Sequence, residues 1–195
     1  MQISWEKFLE DIGDLKTKSD VVNDGWQLEG NVSQTGLAYL SKSLVNNVPV
    51  SSLPGCLELE ESDLEECMLD PSTKINPSLQ ERVTFEYHIL YSLSYAVPIL
   101  YFNAWRENGS LLEIERIWDL AFSQYRNAVK SAKWGAVSQQ DHPILGSPFF
   151  FFHPCNTANF LEDLPGKTKN TVVSWLSVVG PLVGLTVPLF YAEAN

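Results

Sequence analysis

The stretch RVTFEYHILYSLSYAVPILYFNAW, residues 82–105, decides the fold class. Its first half carries apolar or aromatic residues at every second position: Val83, Phe85, Tyr87, Ile89 and Tyr91. This two-residue period predicts a β-strand with one buried face. The run YAVPILYFNAW follows after a few turn residues, so the stretch is predicted to form an antiparallel hairpin, in which Pro98 indicates an edge or a bulge.

The opposite face of the first strand carries His88. Because the apolar stripe lies on the other face, the pattern favours a solvated strand residue there over a catalytic base. The hairpin, residues 82–103, is also predicted to offer an edge strand. An exposed edge can accept an extended segment of a partner protein.

Further helices and strands are predicted on both sides of the hairpin. Near the N-terminus, apolar residues spaced i, i+3, i+4 and i+7 predict a surface helix. These residues are Trp5, Phe8, Leu9 and Ile12. The runs GWQLEG and GLAYLSKSLV predict two more strands. After the hairpin, SLLE at 110–113 matches a capping box and predicts a second helix over about 111–131.

Residues 170–192 contain no charged side chain, and a run of this length is able to cross a bilayer. Its prolines, glycines and hydroxyl groups, together with apolar residues at helical spacing, instead favour a final helix packed on the core. The sequence therefore predicts an α+β fold, with helices on an antiparallel sheet of about four strands. We expect a single domain over residues 1–195, with an acidic mobile loop at about 54–81.

Composition restricts the compartment and the class of partner. The net charge of -11 opposes a phosphate-binding surface, so nucleic acid is not an expected partner. Cys56, Cys67 and Cys155 are an odd number of cysteines without C-x-x-C spacing, and charges interrupt the N-terminus where a signal peptide needs an apolar core. A reducing, cytoplasmic location is therefore expected.

Cys155 lies in PFFFFHPCNTANF, residues 148–160, where prolines interrupt regular structure. A reactive thiol needs partial exposure and a group that favours the thiolate. His153, two residues upstream, is a candidate, and Asn156 or Thr157 is a candidate helix cap. The alternative is that Cys155 is a small buried apolar residue, as unpaired cysteines often are.

Two other chemistries fit the sequence less well. A papain-like hydrolase needs a histidine and an orienting Asn or Asp beside the thiol, and only His88, His142 and His153 are available. A zinc site needs paired ligand spacing, which the cysteines and histidines lack. No metal or other cofactor is expected.

The motifs DHPILGSPFFFFHPCNTANF, SWLSVVGPLVGLTVPLFYA and YHILYSLSYAVPILYFNAW together resemble one known family. It is the autophagy ubiquitin-like-conjugating enzymes of the autophagy-related protein ten type. Residues 82–192 carry the resemblance, and the H-P-C tripeptide is shared with the related carriers that conjugate a modifier to lipid. The resemblance implies a ubiquitin-conjugating-like fold and a transferase activity.

In this family, the residue matching Cys155 accepts a ubiquitin-like modifier, autophagy-related protein twelve, from its activating enzyme as a thioester. The modifier then passes to a lysine of autophagy-related protein five. The resemblance therefore implies three protein partners and no cofactor at the site. The alternative is a catalytically idle binding module of the same fold that docks a partner at its sheet edge.

Several residues are candidates for supporting the reaction. His153 is the nearest polar group to the thiol. Tyr87 and Tyr95, on the hairpin, are candidates for binding, with packing in the core or on the sheet as the alternative. Asn156 and Asn159 are candidates for donating hydrogen bonds near the thioester.

The upstream HPI tripeptide departs from the H-P-N motif of ordinary ubiquitin-conjugating enzymes. Ile144 stands where those enzymes have asparagine, so no oxyanion role is carried over to this position. His142 and Pro143 are predicted to shape the loop instead.

Overall fold

Six β-strands form one antiparallel sheet in the part of the chain that the computed structural model describes, residues 2–49, 80–120, 137–155, 157, 161 and 169–192. The elements are α1 (Trp5–Val22), β1 (Gln27–Gly30), β2 (Ala38–Pro49), β3 (Gln80–Ser92), β4 (Val97–Arg106), α2 (Ile114–Leu120), β5 (Val137–Asp141), β6 (Pro148–Phe152) and α3 (Thr171–Val179). Short 3₁₀ helices follow at Gly180–Val183 and Leu189–Ala192. The α+β prediction is confirmed, with six strands rather than four.

The strand order is β1-β2-β3-β4-β6-β5, and every neighbouring pair is antiparallel. The predicted first helix, the two early strands and the hairpin are all present. Strand β3 begins at Gln80, inside the span predicted as an acidic loop. The rest of that span lies outside the described residues.

The prediction of an edge strand in the hairpin is wrong for β3, which pairs with β2 and β4 over most of its length. Within the described residues, β1 and β5 form the edges of the sheet. Strand β4 pairs with β6 at Tyr101 and Phe102 alone. Pro98 therefore lies in a segment of β4 that pairs on one side, which explains why a residue without an N–H donor is tolerated there.

Helices α1 and α3 cover one face of the sheet. The apolar stripe of β3 packs on this side with the apolar residues of both helices, including Phe8 and Trp175. Each helix has a side-chain cap: the Ser4 hydroxyl accepts from the Lys7 N–H at 3.1 Å, and Asn170 Oδ1 accepts from the Val173 N–H at 2.9 Å. These caps fix where the helices begin on the core.

The opposite face of the sheet is covered as well, which corrects the prediction for His88. A second apolar cluster lies there, formed by Tyr39, Leu90, Ile99, Tyr101, Phe149 and Phe151. His88 is buried among aromatic rings of this cluster, with only 2% of its surface exposed. The prediction failed because the cover comes from the β5–β6 hairpin, which is distant in sequence.

A chain of hydrogen bonds makes the burial of His88 possible. Its Nδ1 lies 3.1 Å from His142 Nε2, and its Nε2 lies 3.2 Å from Glu86 Oε1. His142 Nδ1 accepts from the backbone N–H groups of Ile144 and Leu145 at 3.2 and 3.1 Å. Since Nδ1 of His142 accepts, its Nε2–H faces His88, whose Nε2–H then faces Glu86. Each ring nitrogen of His88 and His142 thus has a partner.

Burial and hydrogen bonding set the pKa values of His142 and Glu86 in this row of hydrogen-bonded side chains. Burial lowers the pKa of His142 to about 4, so its ring is neutral at pH 7. The hydrogen bond from His88 lowers the pKa of Glu86 and keeps it ionised. Because His142 accepts from the N–H groups of Ile144 and Leu145, it shapes the β5–β6 loop, as predicted.

The predicted capping box at 110–113 is wrong. The Ser110 hydroxyl and N–H both donate to Asn108 Oδ1, at 2.8 and 3.0 Å, so this side chain serves a turn. Helix α2 begins later, at Ile114. The part of the predicted helix beyond residue 120 lies outside the described residues until β5.

The final helix is shorter than its apolar pattern suggests. Helix α3 ends at Val179, and Gly180–Val183 continues as a 3₁₀ helix with Pro181 near its start. Among the helices described, none combines the length and apolar character needed to span a membrane.

Candidate active site

Strand β6 delivers Cys155 to the end of the sheet. Its phenylalanines alternate between the two faces: Phe149 and Phe151 belong to the second cluster, whereas Phe150 and Phe152 contact Phe102 and the helix-side core. Because both faces are packed, the strand holds its last residues in a fixed position. The prolines around this strand predicted an irregular connection instead, and that prediction is wrong for residues 148–152.

The chain turns from strand to helix immediately before the thiol. His153 follows β6, and Pro154 and Cys155 already have helical backbone. Proline suits the first position of a helix, where its missing N–H costs nothing and its φ is preset. Pro154 is buried, whereas Cys155 is partly exposed.

The structure brings His153 and Cys155 together. His153 Nδ1 lies 2.8 Å from Cys155 Sγ, and the Cys155 backbone N–H donates to the same Nδ1 at 3.3 Å. Because Nδ1 accepts from the backbone, it carries no hydrogen, and its one lone pair also faces the thiol. This arrangement allows the imidazole to take the thiol proton as the sulfur reacts.

Tyr95 lies beside the histidine. Its ring centroid is 6.0 Å from that of His153, with the rings nearly perpendicular. The tyrosine belongs to the four-residue turn Leu93–Ala96 between β3 and β4, where its N–H donates to Ser92 Oγ at 3.3 Å. Of the two predicted tyrosines, Tyr95 is the one placed at the site.

The turn that carries Tyr95 is held from both ends. Ala96 has a left-handed backbone with φ of 52°, and its N–H donates to Ser92 O at 2.8 Å. The Ala96 carbonyl accepts from the Ile3 N–H at 2.8 Å, and the Ile3 carbonyl accepts from the Tyr91 hydroxyl at 2.8 Å. The residues ahead of α1 therefore fix this conformation.

Tyr87 lies in the core instead, which agrees with the packing alternative. It is fully buried, and its hydroxyl donates to the Val183 carbonyl at 2.8 Å. Burial raises its pKa, so the phenol stays protonated. Its contact with the 3₁₀ helix fixes the C-terminal segment to the sheet.

The remaining candidates are only partly described. Asn156, Asn159, Cys56 and Cys67 lie outside the described residues. Thr157 is buried and helical. In the described ranges, no group of three or more His, Cys, Asp or Glu side chains has the geometry of a metal site.

Sequence comparison identifies relatives of this chain. A family model described as "Autophagocytosis associated protein, active-site domain" matches residues 7–190. The ubiquitin-like-conjugating enzyme ATG10 of Homo sapiens is 40% identical over 149 residues, which cover 72% of this chain and 66% of the human protein. The enzyme of the same name from Arabidopsis thaliana is 32% identical over 174 residues, covering 83% and 74%.

A third relative of the same name, from Dictyostelium discoideum, is 30% identical over 128 residues, covering 58% of this chain and 56% of that protein. The chain thus spans about two thirds of the length of the human relative. The family match includes β6, His153 and Cys155. The chain therefore belongs to the autophagocytosis-associated active-site family, the family of the autophagy ubiquitin-like-conjugating enzymes.

Proposed function

We propose that this protein carries a ubiquitin-like autophagy modifier as a thioester on Cys155 and transfers it to a lysine of a target protein. The observation that supports the proposal most directly is the 2.8 Å contact between Cys155 Sγ and His153 Nδ1 at a partly exposed position. Relatives named ubiquitin-like-conjugating enzymes support the same reaction class. The activity is that of a transferase.

In the first step, Cys155 Sγ attacks the carbonyl carbon of the modifier's C-terminal glycine, which arrives as a thioester of the activating enzyme. A new sulfur–carbon bond forms and the bond to the activating enzyme's sulfur breaks. His153 takes the Cys155 thiol proton and returns it to the departing thiolate. Neither a metal nor a nucleotide takes part in this exchange.

In the second step, a lysine amine of the target attacks the Cys155 thioester. An isopeptide bond forms, the sulfur–carbon bond breaks, and the amine proton returns to Cys155. The modifier in this proposal is autophagy-related protein twelve, and the target is autophagy-related protein five. The reaction takes place in the cytoplasm, and the activating enzyme is the third partner.

Charging of Cys155 tests the proposal. The protein is mixed with the autophagy activating enzyme, the modifier and ATP, and samples are run on gels with and without reductant. The wild type should gain one modifier in a reductant-sensitive band, and Cys155→Ser should give a reductant-stable ester. A Cys56→Ser, Cys67→Ser double variant is the matched control and should charge as the wild type does.

His153→Ala tests the role of the imidazole. Charging should slow by about a hundredfold at neutral pH, the usual range for losing a positioned base. Raising the pH should recover much of the loss, because hydroxide then removes the thiol proton.

An activating enzyme that charges itself but leaves wild-type Cys155 unmodified would contradict the carrier role and favour an idle binding module.

A further inference from the structure

Three segments that meet near Cys155 carry no charged residue, although the chain has 24 acidic and 13 basic residues. They are residues 31–41, which include the β1–β2 turn, residues 87–105 of the hairpin, and residues 142–155, which end at the thiol. A protein surface that docks here through salt bridges would find no opposite charge on these segments. The chemistry of the region suits an uncharged, apolar segment.

Three exposed apolar side chains form a patch at this end of the sheet. We call them the turn patch: Leu37 is 41% exposed, Leu93 is 64% exposed and Tyr95 is 39% exposed. The Leu93 side chain lies over Gly36, where an added methyl group would come within 3.1 Å of Leu93 Cδ1. The turn patch therefore spans the β1–β2 and β3–β4 turns.

The turn patch is continuous with the acceptor thiol. Tyr95 contacts the ring of His153, and His153 contacts Cys155 Sγ. A modifier joined to Cys155 must lay the residues that precede its C-terminal glycine on the surface next to the sulfur. An extended chain advances about 3.3 Å per residue, so the last few residues are long enough to reach this surface.

We propose that the turn patch binds the C-terminal tail of the ubiquitin-like modifier through apolar side chains. This inference rests on the proposed carrier function and identifies the surface that orients the thioester. Contiguous exposed apolar patches commonly mark such contacts, and the absence of charge determines which kind of tail fits. Tail binding next to the sulfur raises the rate of thiol exchange by positioning the carbonyl.

A tethered peptide tests the contact directly. A peptide with the modifier's last ten residues, carrying a C-terminal thiol, is joined to Cys155 by a disulfide in the Cys56→Ser, Cys67→Ser background. Methyl resonances of Leu37 and Leu93 should shift with this peptide and stay in place with a scrambled peptide of the same composition. The methyls of Val45, which is 54% exposed and pairs with Thr84, should not move.

A rate measurement completes the test. The Leu37→Ser, Leu93→Ser double variant should charge about tenfold more slowly at limiting modifier, from the loss of two apolar contacts. Val45→Ser is the matched control, because Val45 lies far from the turn patch. It pairs with Thr84, which is nine residues from Leu93 along the chain, or about 30 Å in a strand. It should charge within twofold of wild type. The folding of all variants should be unaffected, since the side chains are exposed.

Methyls that do not shift, or a double variant that charges at the wild-type rate, would overturn the proposal. Slow charging without a methyl shift would assign the turn patch to the activating enzyme and also overturn it. Failure of the carrier function itself is seen separately, as a wild-type protein that never gains a reductant-sensitive band.

Discussion

Replacing His142 by asparagine should destabilise the fold in a way that depends on pH. His142 is 1% exposed, and its ring contacts Tyr39, Tyr101 and Phe149. The asparagine Oδ1 can still accept from the loop N–H groups, as short polar side chains do in turns. The hydrogen bond to His88 is lost, so the buried His88 Nδ1 is left without a partner. The expected cost at pH 7 is about 3 kcal/mol, from one buried unsatisfied group and the lost ring packing.

The pH dependence follows from the pKa of His142, which falls from 6.5 to about 4 on folding. Between these values the unfolded chain binds a proton that the folded chain excludes, so stability is lost as the pH falls. At pH 5 this loss amounts to about 2 kcal/mol in the wild type. The variant has no such group, so the gap between the two proteins should narrow to about 1 kcal/mol.

Urea unfolding followed by tryptophan fluorescence measures both quantities. The free energy of unfolding is compared between wild type and His142→Asn at pH 7 and at pH 5. Carboxylates distant from His142 titrate alike in both proteins and cancel in the difference. A gap of the same size at both pH values would show that burial does not suppress protonation of His142. A gap below 1 kcal/mol at pH 7 would show that the contact with His88 stabilises little.

Three further substitutions test the core and the turn. Tyr87→Phe should lose about 1 kcal/mol of stability with its bond to Val183, and Cys155 charging should be unchanged, as urea unfolding and the gel assay would show. Lys42→Met removes a buried ammonium that lies 2.9 Å from partly buried Asp24, and it should cost about 2 kcal/mol in urea unfolding. Adding Asp24→Asn should recover most of this loss, and a cost below 1 kcal/mol would contradict the role of the ion pair. Ala96→Gly should raise the unfolding free energy by about 0.5 kcal/mol, because glycine adopts the left-handed backbone without strain; a loss above 1 kcal/mol would refute this.

Local patterns predicted the elements whose signal lies within a few residues. The two-residue period of β3 and the helical stripe of α1 are set by which side faces the core, and both were found as predicted. The proximity of His153 to Cys155 is likewise local, since they are two positions apart in the sequence. Their chemical roles stay predictions until charging is measured.

Features that depend on distant residues, or on a choice between two local patterns, were not predictable in this way. Nothing near His88 in sequence shows that the β5–β6 hairpin covers its face of the sheet. Ser110 matched a capping box, but the nearby Asn108 competes for its hydroxyl and N–H groups. Strand β6 is mostly phenylalanine, and a continuous apolar run has no period to separate a strand from a buried connection.

The hydrogen bonds of Ile3 have a practical consequence for interpreting sequence variants. Ile3 and Tyr91 are 88 positions apart, yet the residues ahead of α1 brace the turn that presents Tyr95. A substitution or an affinity tag placed next to Ile3 can therefore alter the candidate active site. Recombinant versions for enzymology are better tagged through a linker that leaves Ile3 in place.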